Sequence, residues 1–161
     1  MAVTVRKSAG KPVKAAIYLA LNVTALTTTL GASATPKYSV TVHGKVPQTL
    51  TYPHVRIDAA GGRPDNETFG RNAQAVRIYV QVFTESEEQA LEIESTVLGL
   101  LNRAGGYNTL GASADAIITA AGFRLIHVNW DDVQVRDALD DGNAIGVYQR
   151  TVMFTVTVEE S

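Results

Sequence analysis

The residues with the widest capacity for chemistry in this 161-residue sequence are its three histidines, His43, His54 and His127. Imidazole titrates near neutral pH and is the side chain that metal ions bind most often. The three lie far apart in the sequence, and His127 has an acidic residue at metal-like spacing, Asp131. The residues around His127 alternate as in a strand, where positions four apart lie two pleats away from each other. We therefore interpret the histidines as structural.

Other motifs that could bind a ligand are incomplete. The segment Asp137–Asn143 begins like a calcium-binding loop, but Leu139 occupies position 3 and Tyr148 stands where the bidentate glutamate belongs. A hairpin turn is the better interpretation, since Asp, Gly and Asn tolerate positive φ. The pairs Gly61-Gly62 and Gly105-Gly106 lack the flanking residues of a phosphate-binding loop. The sequence therefore predicts no catalytic residue, no metal and no cofactor, and we expect a protein that is not an enzyme.

Composition sets further bounds. Hydrophobic residues make up 45% of the chain, charged residues 19%, and the formal net charge is −2. A basic field that would hold nucleic acid by its phosphates is therefore not expected. The sequence has no apolar run long enough to predict a membrane span, and it contains no cysteine, which fits synthesis in a reducing cytoplasm.

The elements that must position any site are clearest in the middle of the chain. Val76–Phe83 alternates with its valines and isoleucine on one face, as a half-buried strand does. It leads directly into a helix start, where Thr84 with Glu87, or Ser86 with Gln89, can form a capping box. An apolar stripe at helical spacing then extends from Ala90 to Ala104.

The remaining elements complete the predicted fold. A helix is expected over Pro12–Leu30 and strands near residues 38–43, 52–57, 123–135 and 146–159. The order α-β-β-β-α-β-β predicts an α+β domain over residues 1–161, with one antiparallel or mixed sheet of about four or five strands covered on one face by two helices. The connection at about 105–122 is expected to be irregular, and Ala116–Ile118 within it could form a short helical turn.

A long polar loop at about 61–74 is the strongest candidate for a functional surface. It joins two strands that a tight hairpin could connect, and long loops in small domains are often functional. Its charged and aromatic residues are the predicted interface residues, namely Arg63, Asp65, Glu67, Phe69 and Arg71.

An ordered set of segments resembles the tail-terminator, or tail-completion, family of long-tailed phages. The set covers about Val13 to Val158 and comprises Ala16–Leu21, Val46–Gln48, Tyr52–Val55, Val76–Ser86 and Tyr148–Val156. Two features depart from the family pattern: Phe83 stands where many members carry tryptophan, and the 105–122 connection is longer.

The resemblance implies a structural virion protein that forms a homo-oligomeric ring of about six subunits at the head-proximal end of the tail, assembled in the host cytoplasm. One ring face would bind the tail tube protein and stop its polymerisation. The other would dock the head-completion or neck connector protein. DNA would pass through the central channel without specific binding.

Three other interpretations remain open at this stage. A neck adaptor or head-completion protein would also form a ring, and a tail-tube subunit would polymerise by itself. A small soluble enzyme or ligand-binding domain would require a pocket with converging polar groups, such as one uniting His54, Asp58 and His127.

Overall fold

The computed structural model describes residues 7–23, 26, 41–43, 53–60, 63–64, 73–102, 108–136 and 148–161. These residues form one sheet with three helices, which confirms the predicted α+β class. In chain order the elements are α1 (Gly10–Leu21), β1 (Thr41–His43), β2 (His54–Ala59), β3 (Arg63–Pro64), β4 (Ala73–Thr84), α2 (Glu87–Leu101), α3 (Ala112–Ala120), β5 (Phe123–Arg136) and β6 (Tyr148–Glu160). The turn predicted at Asp140–Asn143 lies outside the described residues.

The sheet has the strand order β1-β2-β4-β6-β5, and the two-residue strand β3 also pairs with β4. Strand β1 runs parallel to β2, whereas every other pairing is antiparallel, so the sheet is mixed. The last strand, β6, enters the middle of the sheet between β4 and β5. The long strands β4 and β6 therefore form the central pair, and β5 lies at one edge.

One face of the sheet carries the core. Alternate residues of β4 and β6 pair directly, as in Val80 with Val152 and Ile78 with Phe154, and paired residues share a face. Their side chains are fully buried. All three helices pack on this face, with α1 against β2, α2 against β4 and β6, and α3 against α1 and β5. The opposite side, which we call the open face, has no helix packed on it in the described part of the chain.

Helix α1 begins at Gly10, two residues before the predicted start at Pro12, and ends at Leu21. Most of the predicted extension to Leu30 lies outside the described residues. Pro12 stands in its first turn, where a missing N–H costs nothing. The backbone N–H of Ala9 donates to the Gln74 side-chain oxygen at 3.0 Å, and the Gln74 amide donates to the Lys7 carbonyl at 2.7 Å. The start of α1 is therefore fixed by β4, which is 65 residues away in sequence.

Helix α2 lies where the sequence predicts it, but its N-terminus is arranged differently. The N-cap is Ser86, whose side chain makes no capping hydrogen bond. The buried Thr84 hydroxyl instead donates to the Ser86 carbonyl at 2.7 Å. The prediction of a capping box is therefore wrong. The Thr84 hydroxyl instead stabilises the turn between β4 and α2. Glu87 and Glu88 occupy the first turn, where the helix dipole favours acidic side chains.

Helix α3 corrects the expectation of an irregular connection at 105–122. The Asp115 carboxylate, near the start of the helix, reaches back to accept hydrogen bonds from the Leu110 N–H at 2.8 Å and the Thr109 hydroxyl at 2.6 Å. These bonds close the loop before the helix. Ala114 and Ile118 face the core. The sequence indicated only a short turn at Ala116–Ile118, because two buried residues in nine leave a short apolar pattern.

Candidate assembly surfaces

The predicted interface loop is only partly described. Arg63 lies in β3, where its backbone pairs with Ala75 of β4. The other four predicted residues, Asp65, Glu67, Phe69 and Arg71, lie outside the described residues. Their role as an interface stays a prediction.

The sheet register keeps the histidines of the alternative ligand-binding interpretation apart. His54 pairs with Phe83 at one end of β4, whereas His127, through β6, shares a row with Ala75. Eight residues of strand separate these rows, or about 27 Å at the usual rise of ~3.4 Å per residue. His54 is 3% exposed and stacks on the Phe83 ring, with centroids 4.7 Å apart. This arrangement does not unite His54, Asp58 and His127 in one pocket.

Within the part of the chain that the structure describes, no group of three or more His, Asp or Glu side chains could hold a metal ion. Every buried side-chain nitrogen or oxygen of the described residues has a hydrogen-bond partner. None of the described helices is long and apolar enough to cross a membrane.

The open face of the sheet is polar and mixed in charge. Arg56 and Asp58 of β2 form an ion pair on it, with 3.0 Å between Nε and Oδ2. Tyr79 and Met153 pair across its centre and are half-buried, and Arg77 beside them is exposed. Because this face carries groups of both signs, it does not present a field of one sign.

Strand β5 forms the edge of the sheet beside β6, and its pairing is interrupted twice. Register shifts leave Ile126 and Asp131 without a partner residue on β6. Each such bulge bends the strand and increases its twist. The Asp131 carboxylate accepts hydrogen bonds from the Thr155 hydroxyl and, at 3.2 Å, from the Asn129 amide. The second bulge is therefore held from the open face.

Trp130 is the most conspicuous side chain on this edge. It pairs with the buried Phe154, so it lies on the helix-covered side, yet it is 46% exposed. Val128, two residues earlier, is buried, while Val133 is half-buried. The helix layer therefore stops short of Trp130 among the described residues. We call Trp130 and the adjoining edge of the sheet the Trp130 rim; the exposed Asp131 and Asp132 that follow it lie on the open face. It was not among the predicted sites, although Asn129–Asp132 interrupts the period-two pattern of β5.

The outer faces of the helices carry the other exposed large apolar side chains among the described residues, which are Tyr18 and Leu19 on α1 and Leu91 on α2. The two helices differ in charge: α1 contains Lys11 and Lys14 and no acidic residue, whereas α2 contains four glutamates and no basic residue. We call Lys11, Lys14, Tyr18 and Leu19 the α1 outer face.

A second ion pair joins α2 to the sheet beneath it. The Arg150 guanidinium of β6 contacts the Glu94 carboxylate of α2, and the side chains are 15% and 13% exposed. Because both groups are largely removed from water, the contact fixes α2 over β6 and does not contribute a free charge to the surface.

Comparison with known protein families finds no match, and neither does comparison with curated protein sequences. Among solved structures, a chain from the virion of a native gene transfer agent particle is similar, with a TM-score of 0.56 and 17% sequence identity. The match covers 91% of this chain and 93% of that one. Nearly every element of this chain therefore belongs to a fold that the two proteins share.

Proposed function

We propose that this protein is a non-catalytic structural subunit of a phage-like virion. The observation that carries the proposal is the fold shared with a chain of the gene transfer agent virion over almost the full length of both chains. The similarity therefore concerns the whole arrangement of helices and strands and not one isolated motif. Fold alone does not determine function, so the proposed role also depends on the surfaces of the protein.

Within that role, the protein is a tail terminator. It forms a ring at the head-proximal end of the tail, binds the last ring of the tail tube protein and docks the head-completion or neck connector protein. Support comes from the ordered segments that resemble the terminator family, most of which lie in elements that the structure describes: Ala16–Leu21 in α1, Val76–Thr84 in β4 and Tyr148–Val156 in β6. The polar, mixed-charge open face suits a surface past which DNA moves without being held.

Electron microscopy tests this function directly. The purified protein is imaged alone and after mixing with the tube protein of the same virion. We expect closed rings at one end of the tubes and a shorter distribution of tube lengths, because a bound terminator stops further addition. Long tubes formed by this protein alone would instead make it the tube subunit. Rings that bind the connector but leave tube length unchanged would make it a neck adaptor or head-completion protein.

A further inference from the structure

We infer that Asp131 and Asp132 keep the free edge of β5 from pairing with a strand of a second copy of this chain. Asp131 does so by holding a bulge in the strand, and Asp132 does so by binding a backbone N–H that an incoming strand would need. This inference goes beyond the proposed function and does not depend on it.

Strand β5 has the features of an edge that favours strand addition. It is 14 residues long, it ends the strand order, and in the described part of the chain no strand pairs with its outer side. Between Arg124 and Arg136 it is rich in β-branched and aromatic residues, and Asp131 and Asp132 are its only Asp, Glu, Lys or Arg residues. An unpaired edge of this kind is a template for another chain, and charges and bulges along it are the features that prevent pairing.

Asp131 interrupts this edge near its centre. It is the residue left unpaired between Trp130 and Asp132, whose partners on β6 are consecutive. Its carboxylate accepts a hydrogen bond from the Thr155 hydroxyl, so the bulge is fixed to the neighbouring strand. Together with the bulge at Ile126, it divides β5 into short regular runs, of which residues 132–136 form the longest. Each bulge bends and twists the strand, so a regular incoming strand cannot follow the whole edge.

Asp132 acts on the longest of these runs. Its carboxylate accepts a hydrogen bond from the Val133 N–H at 2.8 Å. In an antiparallel ladder, alternate residues direct their N–H and C=O groups to the partner strand, and the residues between them direct theirs to the other side. Because the Val133 N–H binds a side chain, Val133 and Val135 are the residues of this run that face outward. Asp132 therefore leaves Val135 as the only outward N–H of residues 132–136 that an incoming strand could bind.

A matched pair of substitutions at Asp132 tests this backbone contact. Asp132→Ala removes the charge and the acceptor, whereas Asp132→Asn removes the same charge and retains an oxygen that can accept from Val133. Amide hydrogen exchange is measured by NMR on dilute protein, relative to the intrinsic rate of each amide. We expect the Val133 amide to exchange about five- to tenfold faster in Asp132→Ala, as loss of one hydrogen bond allows. In Asp132→Asn it should exchange at nearly the wild-type rate.

Deletion of Asp131 from Asp132→Ala gives an edge-opened variant. The β6 residues from Gln149 to Thr157 would then face one uninterrupted run of β5, because the β5 residues on either side of Asp131 keep their faces. Self-association of the full chain is measured by analytical ultracentrifugation, after thermal melting shows that the variant is folded. We expect association at concentrations about tenfold lower than for the wild type. The Val135 amide should become protected as the concentration rises.

Val135→Pro in the edge-opened variant identifies the surface that associates. Proline has no N–H, and an edge strand tolerates it where that N–H would face outward. The substitution removes the outward donor of residues 132–136 and leaves the other surfaces of the chain as they are. It should therefore return self-association to the wild-type level.

The inference is overturned if the folded edge-opened variant associates like the wild type, or if Val135→Pro leaves its association unchanged. It is also overturned if the Val135 amide of the wild-type chain becomes protected as concentration rises, since its β5 edge would then already pair. If the deletion prevents folding, the two Asp132 variants decide: equal exchange of the Val133 amide in both would overturn the inference. None of these measurements uses the tube protein. A wild-type chain that fails to cap tubes would refute the terminator role and leave the blocked edge standing.

Discussion

At the scale of single residues, two glycines show how the same substitution can have opposite effects. Gly122, between α3 and β5, has φ +87°, a conformation that costs other L-residues about 1–2 kcal/mol. A Cβ there would meet only the Lys7 amine at 3.5 Å, so the cost is conformational and not steric. Gly99 lies inside α2, and a Cβ added to it would have nothing within 4 Å.

We therefore expect Gly122→Ala to lower the free energy of unfolding by about 1–2 kcal/mol. Gly99→Ala should raise it by about 0.5–1 kcal/mol, because glycine loses more backbone freedom than alanine when a helix forms. Urea denaturation of both variants measures the two effects. Equal shifts of the same sign would contradict the assigned conformations.

The ion pair between Glu94 and Arg150 gives a second prediction at this scale. Glu94→Ala leaves a largely buried guanidinium without its partner, and we expect a loss of roughly 3 kcal/mol, the lower end for a broken buried pair. The double variant Glu94→Leu, Arg150→Met should recover most of this loss, since an apolar pair of similar volume has no charge to desolvate. Denaturation midpoints provide the measurement. A double variant no more stable than Glu94→Ala would show that the pair contributes through packing and not through charge.

At the scale of elements, the docking of α2 decides whether the core forms as predicted. Its buried residues are Ala90, Ile93, Val97 and Leu101, as the apolar stripe in the sequence predicts. They pack on the face of the sheet that carries the alternate residues of β4 and β6. The helix ends at Leu101, before the predicted end of the stripe at Ala104.

Leu101→Ala should lower the free energy of unfolding by roughly 2–5 kcal/mol, because a buried leucine truncated to alanine leaves a cavity. Leu91→Ala is the matched control on the same helix: Leu91 is 46% exposed whereas Leu101 is 1% exposed. We expect the control to change stability by about 0.5 kcal/mol or less. Thermal melts provide the measurement. Equal falls in the melting temperatures of the two variants would contradict the docking of α2 on the sheet.

At the scale of the whole molecule, we expect the loop at 61–74 to be needed for assembly but not for folding. Replacing residues 62–72 by Asn-Gly removes β3, which contributes only two residue pairs to the sheet. It retains Ala73–Ala75, and with them the Gln74 contacts that fix the start of α1. Because the entropy of loop closure depends weakly on length, stability should change little.

The same variant should fail to complete tails, since the mixed charges of Arg63, Asp65, Glu67 and Arg71 suit contacts that determine partner and register. Complementation of a phage that lacks the gene, read beside the thermal melt, is the measurement. Full infectivity with this variant would show that the loop is not an assembly surface. A large fall in melting temperature would show that the loop belongs to the fold.

The sequence by itself determined the parts of this protein that depend on local pattern. Period-two alternation predicted β4 and β6, and the helical stripe predicted α2, because burial of one face leaves a regular trace along a single segment. From these came the α+β class and the helix-covered sheet. The full length of α3 was not predicted, since a nine-residue helix with two buried residues leaves a weak pattern.

Only the tertiary structure decided which segments meet. The central place of β6, the parallel pairing of β1, the capping of α1 by Gln74 and the separation of His54 from His127 all depend on contacts between residues distant in sequence. The exposure of Trp130 belongs to the same class. Its apolar side chain in a strand predicts burial, but burial depends on whether another element covers that part of the sheet, and local pattern carries no information about how far a helix layer extends.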